Sequence, residues 1–222
     1  YYSMLERVNI PKRFKNKTFS NFEHSRLKYK QDNPFYKVRE YVDTFEERDK
    51  NGDWLVLTGG YGLGKTHLAI AAAREILKYY AKKYYEKHQN STTYAGATDK
   101  IIFISSADLL QEIKNSYNTN GISEREVLNK FKSIPLLVLD DLGTSKRSSH
   151  QSENTWLHEK MYMILNHRYL ELLPTIVTTN LTTSKLKDHI SERVVDRMIE
   201  ASDYSRFLWK LNGDSYRREN CD

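Results

Sequence analysis

Trp54-Leu55-Val56-Leu57-Thr58-Gly59-Gly60-Tyr61-Gly62-Leu63-Gly64-Lys65-Thr66 is the stretch on which the fold turns. Trp54 to Thr58 is a short apolar run that reads as a buried strand. Gly59 to Thr66 match G-x-x-x-x-G-K-[ST]. From Thr66 to about Tyr85, Leu68, Ala72, Ile76 and Tyr80 fall on one helical face. Strand, Gly-rich loop and helix in that order is the context this motif demands. Glycines let the backbone curl so that several N–H groups point inward at phosphate oxygens. The helix N-terminus adds its positive dipole end. Lys65 would reach the β- and γ-phosphates, and the Thr66 hydroxyl would ligate Mg²⁺. The expected ligand is ATP with Mg²⁺, cradled by Gly59, Gly60, Tyr61, Gly62, Leu63, Gly64, Lys65, Thr66 and His67.

Further apolar runs repeat the pattern on either side of helical segments. Ile101–Ile104, Pro135–Leu139, Pro174–Thr178 and Phe207–Leu211 read as strands. Helices are expected over Phe35–Arg48, after Ser106, after Ser123, around Trp156–Leu165 and after Ser191. Lys50-Asn51-Gly52-Asp53 reads as a turn, and Lys82 to Lys100 as a helix end followed by a loose loop. Strands that are continuous apolar runs, alternating with helices, indicate a mostly parallel sheet covered on both faces. In such sheets ligands bind beyond the C-terminal ends of the strands.

Those ends carry the polar residues. Leu136 to Leu139 deliver Asp140 and Asp141. A carboxylate there suits the Mg²⁺ shell, the role given to Asp140 together with Thr66. Asp141 is placed to polarise the attacking water. Thr178-Thr179-Asn180 end the fourth strand, where Asn180 either meets the γ-phosphate and its water or simply caps the turn. Arg193 and Arg197 lie four apart on one helical face. They are either solvated cations or one is an arginine finger acting across a subunit interface. Tyr79, Tyr80, Lys82, Lys83, Tyr84, Tyr85 and Lys87 mix rings with cations. That mixture suits stacked single-stranded nucleic acid, or a helix end whose tyrosines pack on the core.

The 222 residues suit one α/β domain. Charged residues make up 29% and the hydrophobic set 39%, as in ordinary globular proteins. No stretch approaches the ~20 apolar residues of a membrane span, and the N-terminal residues contain no apolar secretory core. The single cysteine, Cys221, fits a reducing cytoplasm. A net charge of +6 is compatible with a polyanionic partner. The chain starts at Tyr1 rather than Met, which suggests a fragment of a longer protein.

Taken in order, these residues resemble the AAA+ ATPases, and among them the DnaC/DnaI-type bacterial helicase loaders and the related IstB transposition helpers. The resemblance rests on Ile10–Phe14 with Thr18-Phe19, Gly59–Thr66, Ser105–Leu110, Leu136–Gly143, Asn166–Tyr169, Pro174–Leu181, Glu192–Met198 and Gly213–Arg217. It implies a five-stranded AAA+ core with helices on both faces and a short or missing lid. Residues 1–50 would be a lead-in segment and helix, and 51–222 the ATPase domain. It makes Asn180 the sensor 1 residue and Arg197 the arginine finger, with Arg193 beside it. It implies ATP at subunit interfaces of a ring or spiral, and partners in the replicative DNA helicase and single-stranded DNA. The helix after Ser106 would lie where initiator-type relatives carry their DNA-contacting element. Asp141 stands where many AAA+ proteins have Glu, one methylene longer, which implies slow hydrolysis. The alternative is an IstB-like ATPase assisting a transposase. A small-molecule kinase would need an arginine-rich lid and an acceptor pocket, and neither is legible.

Overall fold

The computed structural model describes residues 8–29, 32–87, 98–117, 121–143, 151–204 and 206–216, with backbone alone for 151–154. Arg217, Cys221 and most of the loop expected before Lys100 lie outside the described residues. In chain order the elements are α1 (Pro34–Asp43), α2 (Phe45–Asn51), β1 (Leu55–Gly59), α3 (Lys65–Lys87), β2 (Ile101–Ser105), α4 (Ser106–Ser116), α5 (Glu124–Ser133), β3 (Leu136–Asp140), α6 (Gln151–Leu170), β4 (Thr175–Thr178), α7 (Thr183–Lys187), α8 (Glu192–Ala201) and β5 (Leu208–Leu211). All five strands pair in parallel, in the order β2-β3-β4-β1-β5. The expected "mostly parallel" sheet is parallel throughout.

Side chains on a strand alternate between faces, and this splits the core in two. Leu55, Leu57, Leu136, Val138 and Ile176 pack with α1, α2, α3 and the lead-in residues Val8, Ile10, Phe19, Phe22 and Leu27. Val56, Leu137, Leu139 and Val177 face the other way, onto α4, α5, α6 and α8. β1, β3 and β4 are therefore apolar on both sides, as a buried parallel sheet requires. The lead-in is part of the first layer, with Phe19, Phe22 and Phe35 in ring contact.

Several boundaries differ from the reading by periodicity. The single helix expected over Phe35–Arg48 is two, broken at Thr44. Its hydroxyl donates back to the Glu40 carbonyl at 2.8 Å, and its backbone leaves helical geometry. Lys50 and Asn51 close α2 rather than form a turn, and Gly52 ends it in the left-handed region. A Cβ on Gly52 would also sit 2.4 Å from the Leu172 backbone. Ser105, not Ser106, caps α4 by accepting from the Asp108 N–H. The capping box of Ser123 and Glu126 forms as its spacing predicts. Helix α7 gives no periodic signal because it is only five residues long.

In the ring-and-cation stretch of α3, Tyr80 is buried and Tyr79 and Tyr84 are half-buried, while Lys82, Lys83, Tyr85 and Lys87 are exposed. Tyr79 and Tyr80 meet the Phe45 ring edge-on and donate to the Asp49 carboxylate at 3.2 and 2.9 Å. Lys83 joins them at 3.3 Å from Asp49. Tyr85 remains exposed.

Arg168 is fully buried at the C-terminal end of α6 and ties the N-terminal ends of β3 and β4 together. Its guanidinium donates to the carbonyls of Phe131, Ile134, Pro135 and Pro174 and to the Thr175 hydroxyl, at 2.6–3.3 Å. Burial pulls its pKa down to about 9, so the group stays charged at neutral pH. Arg168→Met should destabilise the fold by about 3–5 kcal/mol, because buried carbonyls lose their donors together. Urea unfolding of the two proteins checks this, and a loss below about 1 kcal/mol would contradict it.

Candidate functional site

The strand order sets β1, β3 and β4 side by side, so Gly59, Asp140 and Thr178 meet at one edge of the sheet. The chain leaves β1 through a turn that only glycine fits at two places. Gly59 has φ +133°, and a Cβ there would lie 2.3 Å from the Leu211 carbonyl oxygen. Gly64 has φ +84°, and its Cβ would enter the Phe22 ring at 2.5 Å. Helix α3 begins at Lys65, so its free N–H groups face the loop.

Two linked hydrogen-bond sets occupy this edge. The buried Lys65 ammonium donates to the carbonyls of Gly59 (2.9 Å) and Gly60 (2.6 Å) and to Asn180 Oδ1 (2.7 Å). Asn180 in turn donates from Nδ2 to Asp141 Oδ1 at 3.0 Å. This orientation of the amide matches both partners, a cation on one side and a carboxylate on the other. The Thr66 hydroxyl lies 2.9 and 3.2 Å from the two oxygens of Asp140. The Thr178 hydroxyl donates to Asp140 Oδ1 at 2.6 Å and accepts from the Asp141 N–H at 3.0 Å. Asp141 takes φ +53°, a left-handed conformation that turns the chain off β3.

Burial raises the Asp140 pKa above the usual carboxylate value, and the adjacent Asp141 adds to this. Hydrogen bonds from Thr178 and Thr66 pull the other way. A divalent cation would reverse the balance. The oxygen donors of Thr66 and Asp140 suit Mg²⁺, which takes hard ligands, keeps waters and shares phosphate oxygens.

Beside this edge lies a pocket of about 270 Å³. The loop Tyr61–His67, Asp141 and Asn180 form its floor, and Phe14, Phe22 and Tyr216 form an aromatic side. Arg13 and Lys17 supply positive charge at its rim. His67 is half-buried, with Nε2 2.8 Å from the Thr18 carbonyl, so that nitrogen carries the proton. Its ring meets Phe22 edge-on, and burial lowers its pKa. His67 thus spans from the loop helix to the lead-in.

The far end of the chain closes the pocket. Leu27 and Gly213 form an antiparallel bridge, and the Lys28 N–H donates to the Asn212 carbonyl at 2.8 Å. The Tyr216 N–H donates to the Gly62 carbonyl at 3.0 Å, and its hydroxyl to the Glu23 carbonyl at 2.6 Å.

All the residues of the loop, both aspartates and Asn180 are therefore brought together. Arg193 and Arg197 are not among the described side chains lining this pocket. They project from α8, which packs on α6. Thr178 was missed as a site residue. Its signal is a hydroxyl at the end of an apolar strand, two residues before Asn180. Phe14 and Phe22 read in the sequence only as scattered apolar anchors, and Tyr216 only as part of a family-like stretch, because no local pattern shows that two chain ends meet.

The sheet order and the loop geometry have counterparts in solved structures. A crystal structure of the DnaC helicase loader superposes with TM-score 0.64 at 24% identity, covering 91% of this chain and 100% of that one. The replication initiator DnaA bound to AMPPCP and single-stranded DNA gives TM-score 0.63 at 22% identity, covering 93% and 52%. These likenesses establish a fold shared with both, a five-stranded parallel sheet with helices on its two faces. In sequence, the replicative helicase loader DnaC of Escherichia coli is 29% identical over 199 residues, 89% of this chain and 69% of its own. The replicative helicase loader DnaI of Bacillus subtilis is 28% identical over 192 residues, 82% and 53% respectively. The family described as IstB-like ATP binding protein matches residues 4–221, nearly the whole sequence. The chain belongs to that family of IstB-like ATP-binding proteins.

Proposed function

We propose that this chain is the ATPase part of a loader that places a replicative DNA helicase on single-stranded DNA, in the cytoplasm. The observation that carries the ATPase reading is the paired network Lys65–Asn180–Asp141 and Thr66–Asp140–Thr178 at one sheet edge. Phosphates at the α3 N-terminus would replace the loop carbonyls as acceptors for Lys65. The base would sit on the side lined by Phe14, Phe22 and Tyr216, with Gly59–His67 around the phosphates. Thr66 and Asp140 would hold Mg²⁺, which neutralises charge developing on the transferred phosphoryl group. Asn180 would orient the attacking water and Asp141 would accept its proton. Arg197 would complete the site of a neighbouring subunit in a ring or spiral.

Asp141→Asn separates binding from turnover. Mg²⁺-ATP affinity should stay within about twofold, while hydrolysis falls roughly 100-fold or more, the scale of a lost general base. Nucleotide titration and phosphate release measure the two. Turnover at the parent rate would place water activation elsewhere.

The loader reading rests on the relatives that are replicative helicase loaders, DnaC and DnaI. The family description alone would also fit a transposase helper. Pull-downs with the cognate replicative helicase and with the cognate transposase decide between them. Helicase capture favours the loader, and transposase capture alone moves the assignment. Single-stranded DNA should bind without sequence preference and favour the ATP state. Its affinity should fall with salt, with a slope of about −0.7 per phosphate contacted. A salt-independent affinity, or a preference for duplex, would contradict the DNA assignment.

A further inference from the structure

Arg197 does not point freely into solvent. It lies half-buried on α8 against two rings of α6. Its guanidinium carbon is 5.3 Å from the Tyr162 ring centre and 5.6 Å from that of Tyr169. Seven residues separate these tyrosines, two helical turns, so both rings stand on the same face of α6. The guanidinium nitrogen Nη1 is shut off from water and has no hydrogen-bond acceptor among the described residues. Arg193, one turn earlier on α8, is exposed.

A nitrogen out of reach of water is also out of reach of another molecule's phosphate. A buried donor without an acceptor is unfavourable, and buried polar groups are normally paired. The position is held by the rings, since a cation over an aromatic face is attracted to it. Such a group is stored, not engaged: leaving the rings forfeits two cation–π contacts and the Tyr162 hydroxyl, and gives Nη1 the acceptor it lacks. A phosphate brought by a neighbouring subunit would supply those bonds, doubly charged and in the geometry a guanidinium fork prefers.

We infer that Tyr162 and Tyr169 are positioning residues that park the Arg197 guanidinium in the free subunit, so that the finger is released only when assembly offers it a nucleotide phosphate. The inference rests on the reading of Arg197 as a finger acting in trans. It adds that hydrolysis is restrained before assembly by a contact within one chain. The Tyr162 hydroxyl also meets the Arg197 guanidinium and, less strongly, that of the exposed Arg193.

The test uses the 222-residue chain with Tyr162→Leu, Tyr169→Leu and the corresponding Phe variants, which keep the ring. ATPase rate is followed against protein concentration. Each cation–π contact is worth a factor of about 2–5. Each Leu variant should reach half-maximal rate at a protein concentration lower by about that factor, with the plateau unchanged or higher. Tyr169→Phe should stay close to the parent, and Tyr162→Phe, which loses the hydroxyl beside the guanidinium, should shift less than Tyr162→Leu. A lowered plateau in the Leu variants would mean that the rings orient the engaged finger, and an unchanged curve would mean that they do nothing. Either overturns the parking. A second measurement does not depend on activity. With ¹⁵N-labelled arginine, the Arg197 side-chain signal should be ring-current shifted in the free chain. It should lose that shift when a non-hydrolysable ATP analogue drives assembly. A signal unshifted at the start, or one that keeps its shift on assembly, overturns the parking. The finger role itself fails on a different result, undiminished turnover in Arg197→Ala.

Discussion

A Lys65→Ala chain should fold normally and bind ATP at least about 100-fold more weakly than the parent. The ammonium is buried at the base of the pocket and already meets three acceptors, two from the loop and one from Asn180. No other described cation stands so deep in that pocket, where Arg13 and Lys17 only rim it. Charge-assisted contacts to phosphate are about twice as strong as neutral ones, and two of them account for a loss of this size. The fold should survive because Gly60 is exposed, and a water in the space the ammonium leaves can bond to the carbonyls it served. Titration with a fluorescent ATP analogue gives the affinity, and circular dichroism with a thermal melt gives the folded state. Parent-like affinity in a folded Lys65→Ala protein would remove the phosphate site from this loop.

The second large effect concerns Arg197. Arg197→Ala should bind ATP as the parent does, since the arginine lies outside its own subunit's pocket. Turnover should fall by roughly 1,000-fold, the lower end of what an arginine finger supplies. Mixing it with Lys65→Ala should restore measurable turnover, because one subunit keeps its nucleotide site and the other its finger. The two variants are inactive alone for different reasons, so recovery in the mixture is the signature of a shared site. No recovery at concentrations where the parent assembles would refute action in trans.

The site's floor was legible because its chemistry is local. Gly59 to Thr66 carry their geometry in consecutive residues, and the apolar run Leu136–Leu139 states where Asp140 emerges. Parallel strands place such ends at one edge whatever the loops do. The aromatic side was not legible for the opposite reason. Phe14, Phe22 and Tyr216 converge only after distant segments pair, and no spacing within either segment encodes the other. The buried state of Arg168 was equally hidden. Within Asn166–Tyr169 it looks like one cation among polar neighbours, and only the side-by-side starts of β3 and β4 turn it into a clamp. The break at Thr44 was missed because a threonine hydroxyl competes with the helix in a way that apolar periodicity does not register.

The junction of Leu27 with Gly213, and of Tyr216 with Gly62, has a kinetic consequence. The Lys28–Asp214 pair at this junction closes a loop spanning 186 residues, so its entropy must be met before the contact returns anything. The β2-β3-β4-β1 part of the sheet and its helices can assemble without it, through shorter connections. The pocket thus gains its last side only after the rest of the molecule is in place. In a refolding time course, tryptophan burial and helical signal should precede competence to bind nucleotide. The same seam should open first under mild denaturant, so that ATP affinity fades while the sheet persists. For this chain, nucleotide competence reports completed folding.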